Sequence, residues 1–107
     1  MTIPSCLLTV PDVLAKIEAQ KMPRSISAFV SGKIEVKLYA PRGTDPQTPH
    51  SRDEVYVVAA GRGRFVHGDK EVAFGPGDLL WVPAGAVHRF KDFTDDLAVW
   101  VVFFGDP

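Results

Sequence analysis

A chain with one cysteine forms no internal disulfide, so packing and hydrogen bonds must hold these 107 residues together. Cys6 has no basic cluster beside it in sequence to lower its pKa, and it reads as a simple thiol in a reducing compartment. Long apolar runs are missing as well. No stretch approaches the roughly 20 apolar residues of a membrane span, and the opening MTIPSCLLTV lacks the basic start of a secretory signal. The expectation is a soluble, cytoplasmic protein. Charge of neither sign is in excess: 12 Lys and Arg stand against 13 Asp and Glu. A net charge of -1 gives no electrostatic reason to expect nucleic acid or an anionic membrane as partner. Solenoid-period repeats, low-complexity tracts and internal linkers are also absent.

What is there is one helical pattern followed by many short strands. The length allows a single core that buries roughly 65% of the unfolded surface. Pro11 and Asp12 suit a helix start, Val13, Leu14 and Ile17 recur at helical spacing, and Pro23 stops the pattern, which places a helix at about 11–20. From Ser25 the period becomes two. Residues 25–30 and 33–40 flank Ser31-Gly32, a pair suited to a hairpin turn. In the second run Ile34, Val36, Leu38 and Ala40 face one way and Lys33, Glu35, Lys37 and Tyr39 the other, the pattern of a half-buried antiparallel strand. A Pro-rich loop, PRGTDPQTP, then leads to His50. Further strands are expected at 55–60, 65–66, 72–74, 79–82, 87–90 and 97–104, separated by Gly turns. Such punctuation means an all-β sandwich or barrel. The expected division is residues 1–32 as helix and leading strand and residues 33–107 as the barrel, within one structural unit.

The chemistry concentrates at TPHSRDEVYVVAAG (48–61) and GDLLWVPAGAVH (77–88). His50, Glu54 and His88 each stand at the edge of a strand, and two imidazoles with one carboxylate make a divalent-metal site. On one straight strand His50 and Glu54 lie about 13 Å apart, too far for a shared ion. Ser51-Arg52-Asp53 is therefore expected to turn, so that the two side chains come from adjacent strands of a hairpin, with His88 arriving from a third. The competing structural readings are a pair of rim histidines that only hydrogen-bond, and a Glu54 paired with Arg89. Tyr56 shares the parity of Glu54 and points inward. It serves either as a donor to substrate, a tentative catalytic role, or as a core residue with its hydroxyl satisfied. His67 reads as a solvated hairpin residue, and the sequence does not sort Trp81, Phe90, Trp100 and Phe104 between pocket and dimer sheet. GRGRF lies between strands and is no phosphate loop, and Ser51 beside His50 lacks an oxyanion-hole signature for hydrolysis.

At these residues the chain resembles the cupin superfamily, in its small bacterial single-domain form. Glu54 and Gly61 fall at the spacing of the family's first motif, and Gly77, Pro83, Gly85 and His88 match every spacing of its second, with Asp92 where Asn is usual. The resemblance runs over residues 33 to 104 and implies a jelly-roll barrel with one short N-terminal helix. It also implies metal ligation by His50, Glu54 and His88. Thr48 stands where the family places its first His, which leaves three ligands instead of four. The resemblance further implies one divalent ion (iron, zinc, nickel or manganese), a homodimer, and a metal-dependent enzyme acting on a small organic molecule by dioxygenation, isomerisation or cyclisation. The alternative is a non-enzymatic module that binds or senses a small ligand with weak metal or none. Fold alone does not choose between them.

Overall fold

The computed structural model describes residues 7–105, and Cys6 lies outside them. The single helix among the described residues, α1, runs Val10–Gln20. Thr9 caps it by accepting from the Asp12 N–H, Pro11 sits in the first turn, and Lys21, with a left-handed backbone, donates its N–H to the Ile17 carbonyl. Eight strands follow: β1 (Ser25–Ser31), β2 (Ile34–Tyr39), β3 (Asp53–Ala60), β4 (Gly63–His67), β5 (Lys70–Phe74), β6 (Leu79–Val82), β7 (His88–Lys91) and β8 (Ala98–Phe104). No helix is long and apolar enough to cross a membrane among the described residues.

The strands form two antiparallel sheets, one ordered β1-β2-β8-β3-β6 and the other β5-β4-β7. Their inner faces share one core, built from Tyr56, Val58, Val82, Val99, Val101 and Phe103 of the first sheet and Phe65, Phe74 and Phe90 of the second. Phe90 is the hub. Its ring meets Tyr56 at 4.9 Å and Phe74 at 5.3 Å, both edge to face, the arrangement the aromatic quadrupole favours.

The alternation expected in β2 is present, and the structure assigns its two faces. Leu38 and Ala40 do face a core, a second one on the outside of the larger sheet, where Val13 and Ile17 of α1 cover them. The polar-looking side of the strand is the one that faces into the barrel. Lys37 pairs in register with Val101 and Tyr39 with Val99, and directly opposed residues share a face. A strand with a helix on one side and a cavity on the other needs apolar residues only on the helix side.

β7 is an edge strand of the smaller sheet, no ladder joins it to the larger one, and the sheets are open along it. The Pro-rich segment 41–49 fills that opening. Arg42 anchors its start by donating from Nη1 to the Ala40, Pro41 and Leu97 carbonyls. Asp45 anchors its middle. Its carboxylate accepts from Tyr39 Oη on one side of the opening and from the Phe90 N–H (2.7 Å) on the other.

Candidate metal centre

Glu54 opens β3 on its inner face, opposite Val82 and Phe103, and is fully buried. His88 opens β7 and is nearly so, at 3% exposure. His50 precedes β3 in irregular backbone and stays half-buried. The bend at Ser51-Arg52 exists, yet no strand lies before it. The expected hairpin is therefore replaced by the loop itself, which Pro46 and Pro49 keep out of any ladder.

Backbone contacts tie the two motif segments together. Gly85 N–H donates to the His50 carbonyl at 2.7 Å, and Ala84 N–H donates to Asp53 Oδ1 at 2.8 Å. The turn that delivers His88 is thus fastened to both sides of the bend that separates His50 from Glu54. Gly85 has φ +79°, so glycine serves that turn by its backbone. Asp53, read from sequence as a turn residue, is a brace between the motifs.

The ligand atoms of His50, Glu54 and His88 all lie within 4.8 Å of one another. His88 Nε2 approaches Glu54 Oε1 to 2.7 Å and His50 Nε2 stands 3.9 Å from the same oxygen. His88 Nδ1 donates to the Ala86 carbonyl at 2.9 Å, which leaves Nε2 turned toward the carboxylate. Despite the short approach, His88 Nε2 has no hydrogen bond of acceptable geometry among the described residues, and Glu54 Oε2 has none either. Two orphaned polar atoms in a buried carboxylate–imidazole pair are costly in a native core. An ion between them removes both deficits, so the donor set fits a divalent metal. Arg89 is exposed and takes no part, which sets aside the Glu54–Arg89 pair.

Burial disfavours a charged imidazole at His88, but the Glu54 carboxylate, the Ala86 carbonyl and Asp45 outweigh it, and the His88 pKa lies above its ordinary value. Tyr56 is core and site at once. It is 1% exposed, and its hydroxyl donates to Gln47 Oε1 (2.8 Å) with Glu54 Oε1 at 3.2 Å. Burial, helped by the Glu54 charge, raises its pKa, so it acts as a neutral donor.

A cavity of about 190 Å³ opens beside His50 and Glu54, lined among others by Ser25, Lys37, Tyr39, Gln47, Tyr56 and Phe103. Gln47 and Asp45 escaped the sequence reading because each sits in a loop with no periodicity. The only available signal was an Asp and a Gln, two residues apart, immediately before the first motif. Thr48 is exposed. The remaining aromatics sort cleanly: Phe90 is core, Trp100 packs with the helix cluster, and Trp81 stacks on Phe104 at 6.0 Å outside the barrel. His67 is half-buried and lies opposite His88 in the β4–β7 register, so it faces inward, unlike the solvated hairpin residue expected.

A cupin-domain family model matches residues 30–104. The chain belongs to the cupin family. Among curated proteins, this cupin is similar to an uncharacterized protein of Streptomyces coelicolor, 43% identical over 72 residues, spanning 65% of this chain and 69% of that protein. It is also similar to the acireductone dioxygenase of Geobacillus thermodenitrificans, 39% identical over 64 residues. That match spans 54% of this chain and 36% of the dioxygenase, about a third of the longer protein. Among solved structures, a cupin 2 conserved barrel domain protein from Salinispora arenicola superposes with a TM-score of 0.63 at 20% identity. The superposition covers 76% of this chain and 74% of that one, which supports the jelly-roll fold.

Proposed function

We propose that this cupin is a metal-dependent enzyme acting on a small organic molecule, of the oxygenase, isomerase or cyclase type. The observation that carries the reading is the pair of unsatisfied buried atoms, Glu54 Oε2 and His88 Nε2, with Glu54 lining an open cavity. His50, Glu54 and His88 hold the ion, which when bound supplies Lewis-acid or redox chemistry according to whether it is zinc, nickel, manganese or iron. Three protein ligands leave positions open for substrate. The cavity suits an anionic, oxygen-bearing molecule: Lys37 offers a cation, Ser25 a hydroxyl, and Tyr56 a phenol that remains protonated at neutral pH. Val101 and Phe103 supply the apolar wall that limits water. Similarity to the Geobacillus dioxygenase favours oxygen chemistry within this set. The single cysteine fits a cytoplasmic setting.

Metal analysis tests the reading. Protein purified without added metal is expected to carry up to one first-row divalent ion per chain, with the content falling sharply in both His50→Ala and His88→Ala. Because the ion binds only the folded chain, a metal concentration 100 times Kd adds about 2.7 kcal/mol of stability, and chelator removes it. Wild-type protein that is metal-free and gains none on dialysis against iron, zinc, nickel or manganese overturns the enzyme. The exposed Thr48 supports the second reading, a small-ligand module, which that result would leave standing.

The same proposal includes a homodimer. The outer face of the larger sheet carries an unbroken apolar row, Phe29, Val36, Val102, Val55 and Trp81, adjacent in register across five strands. Phe29 and Trp81 at its ends are 46% and 48% exposed. A neutral row of this kind complements itself across a two-fold axis without any matching of charge, so a second copy is its occupant. Light scattering is expected to give twice 11.7 kDa for the wild type and the single-chain mass for Trp81→Glu with strand content intact. A wild-type monomer at millimolar concentration removes the dimer.

A further inference from the structure

Thr48, at the position where a fourth ligand is expected, points to solvent, and the side chain that this loop turns inward is its neighbour Gln47. Its amide is oriented by both of its ends. Nε2 donates to Asp45 Oδ2 at 2.7 Å, and Asp45, itself buried, is held by the Tyr39 hydroxyl and the Phe90 N–H. The amide oxygen is therefore the end that faces the site. There it accepts from Tyr56 Oη at 2.8 Å and stands 3.4 Å from His50 Nε2.

That 3.4 Å separation matters. Two donors bound to one ion at about 2.1 Å lie about 3.0–3.4 Å apart in octahedral or tetrahedral geometry. An amide oxygen has two lone pairs: Tyr56 takes one, and the other, which faces His50 Nε2, is free for the ion once that nitrogen is a ligand and carries no proton. From this placement, and resting on the metal reading above, we infer that Gln47 Oε1 is a fourth protein donor to the ion. The loop thus supplies a neutral oxygen in place of an imidazole. An oxygen-richer set of two His, one Glu and one amide favours manganese, iron(II) or cobalt over softer, thiolate-preferring ions.

The test uses Co2+ on the full-length protein, read by calorimetry and by the visible absorption of the bound ion. Gln47→Leu and Gln47→Met, the latter of similar length, are expected to bind Co2+ at least about 10–100-fold more weakly than wild type. Their spectra at saturation should also differ from wild type, because the ion has lost a donor. A loosened loop alone weakens binding but leaves the saturated spectrum unchanged, and wild-type spectra in both variants overturn the assignment. A wild-type protein that binds no Co2+ at all, nor the metals tried above, overturns the metal reading and this inference with it. Weaker binding together with an altered saturated spectrum supports both.

Discussion

Replacing Asp45 by alanine is expected to destabilise the fold by about 3–5 kcal/mol. The carboxylate is 8% exposed and accepts three hydrogen bonds, from Tyr39 Oη, Gln47 Nε2 and the Phe90 N–H. Alanine leaves the Phe90 amide without an acceptor inside the barrel, where an orphaned donor costs about 1–3 kcal/mol. It also releases the segment that Asp45 ties to edge strand β7. Asparagine tests the account by hydrogen-bond inventory. Its one oxygen can serve Phe90 and Gln47 while its NH2 faces Tyr39 Oη, which can reverse from donor to acceptor. Asp45→Asn should therefore lose only about 1 kcal/mol. Chemical denaturation of the metal-free protein separates the cases, and equal losses in the two variants would show that charge, rather than acceptor count, matters at this position.

Gly61→Ala is expected to lose about 2–4 kcal/mol. Two independent obstacles meet there. The backbone has φ +94°, where a side chain is strained, and an added Cβ would come within 2.6 Å of Leu97 Cα. Backbone cannot rotate aside as a flexible side chain can, so β3 and the Leu97 segment must separate. Gly68 is the control: its φ of +62° carries the same kind of strain, but nothing stands within 4 Å of the added methyl. Gly68→Ala should lose about 1–2 kcal/mol. At about 4–8 °C per kcal/mol for a domain near this size, the two variants differ measurably in melting temperature, and a similar drop for both would refute the steric part.

Local chemistry decided what could be read in advance. Gly68-Asp69 and Gly75-Pro76-Gly77-Asp78 mark their turns by residue type, while the first hairpin turns at Gly32-Lys33, one residue later than Ser31-Gly32, so the strands fall almost where the alternation places them. Glu54 and His88 were legible because a carboxylate or imidazole at the mouth of an apolar strand has to be partnered. His50 was found for its chemistry and misjudged in its setting, since nothing in Ser51-Arg52-Asp53 tells a bend after a loop from a bend between strands. The inward sense of Lys37 and Tyr39 depended on where α1 packs, which a strand's own alternation does not contain. Asp45 was out of reach altogether. Its defining partner, Phe90, is 45 residues away, and a Pro-rich loop shows no period from which burial can be inferred.

The residues of the candidate site rest on two kinds of support, strands and a strap. Glu54 and His88 sit on strands held in register by ladders, β3 on both sides and β7 on one, so moving either one means rebuilding a sheet. His50 and Gln47 ride on a strap held chiefly by Arg42, Asp45 and the Gly85 contact. Insertions, deletions or exchanges in residues 41–50 can present a different donor to the same cavity while both sheets stay as they are. A barrel made this way can change its chemistry through one short segment, which makes that segment the natural place to begin when engineering a new ligand set.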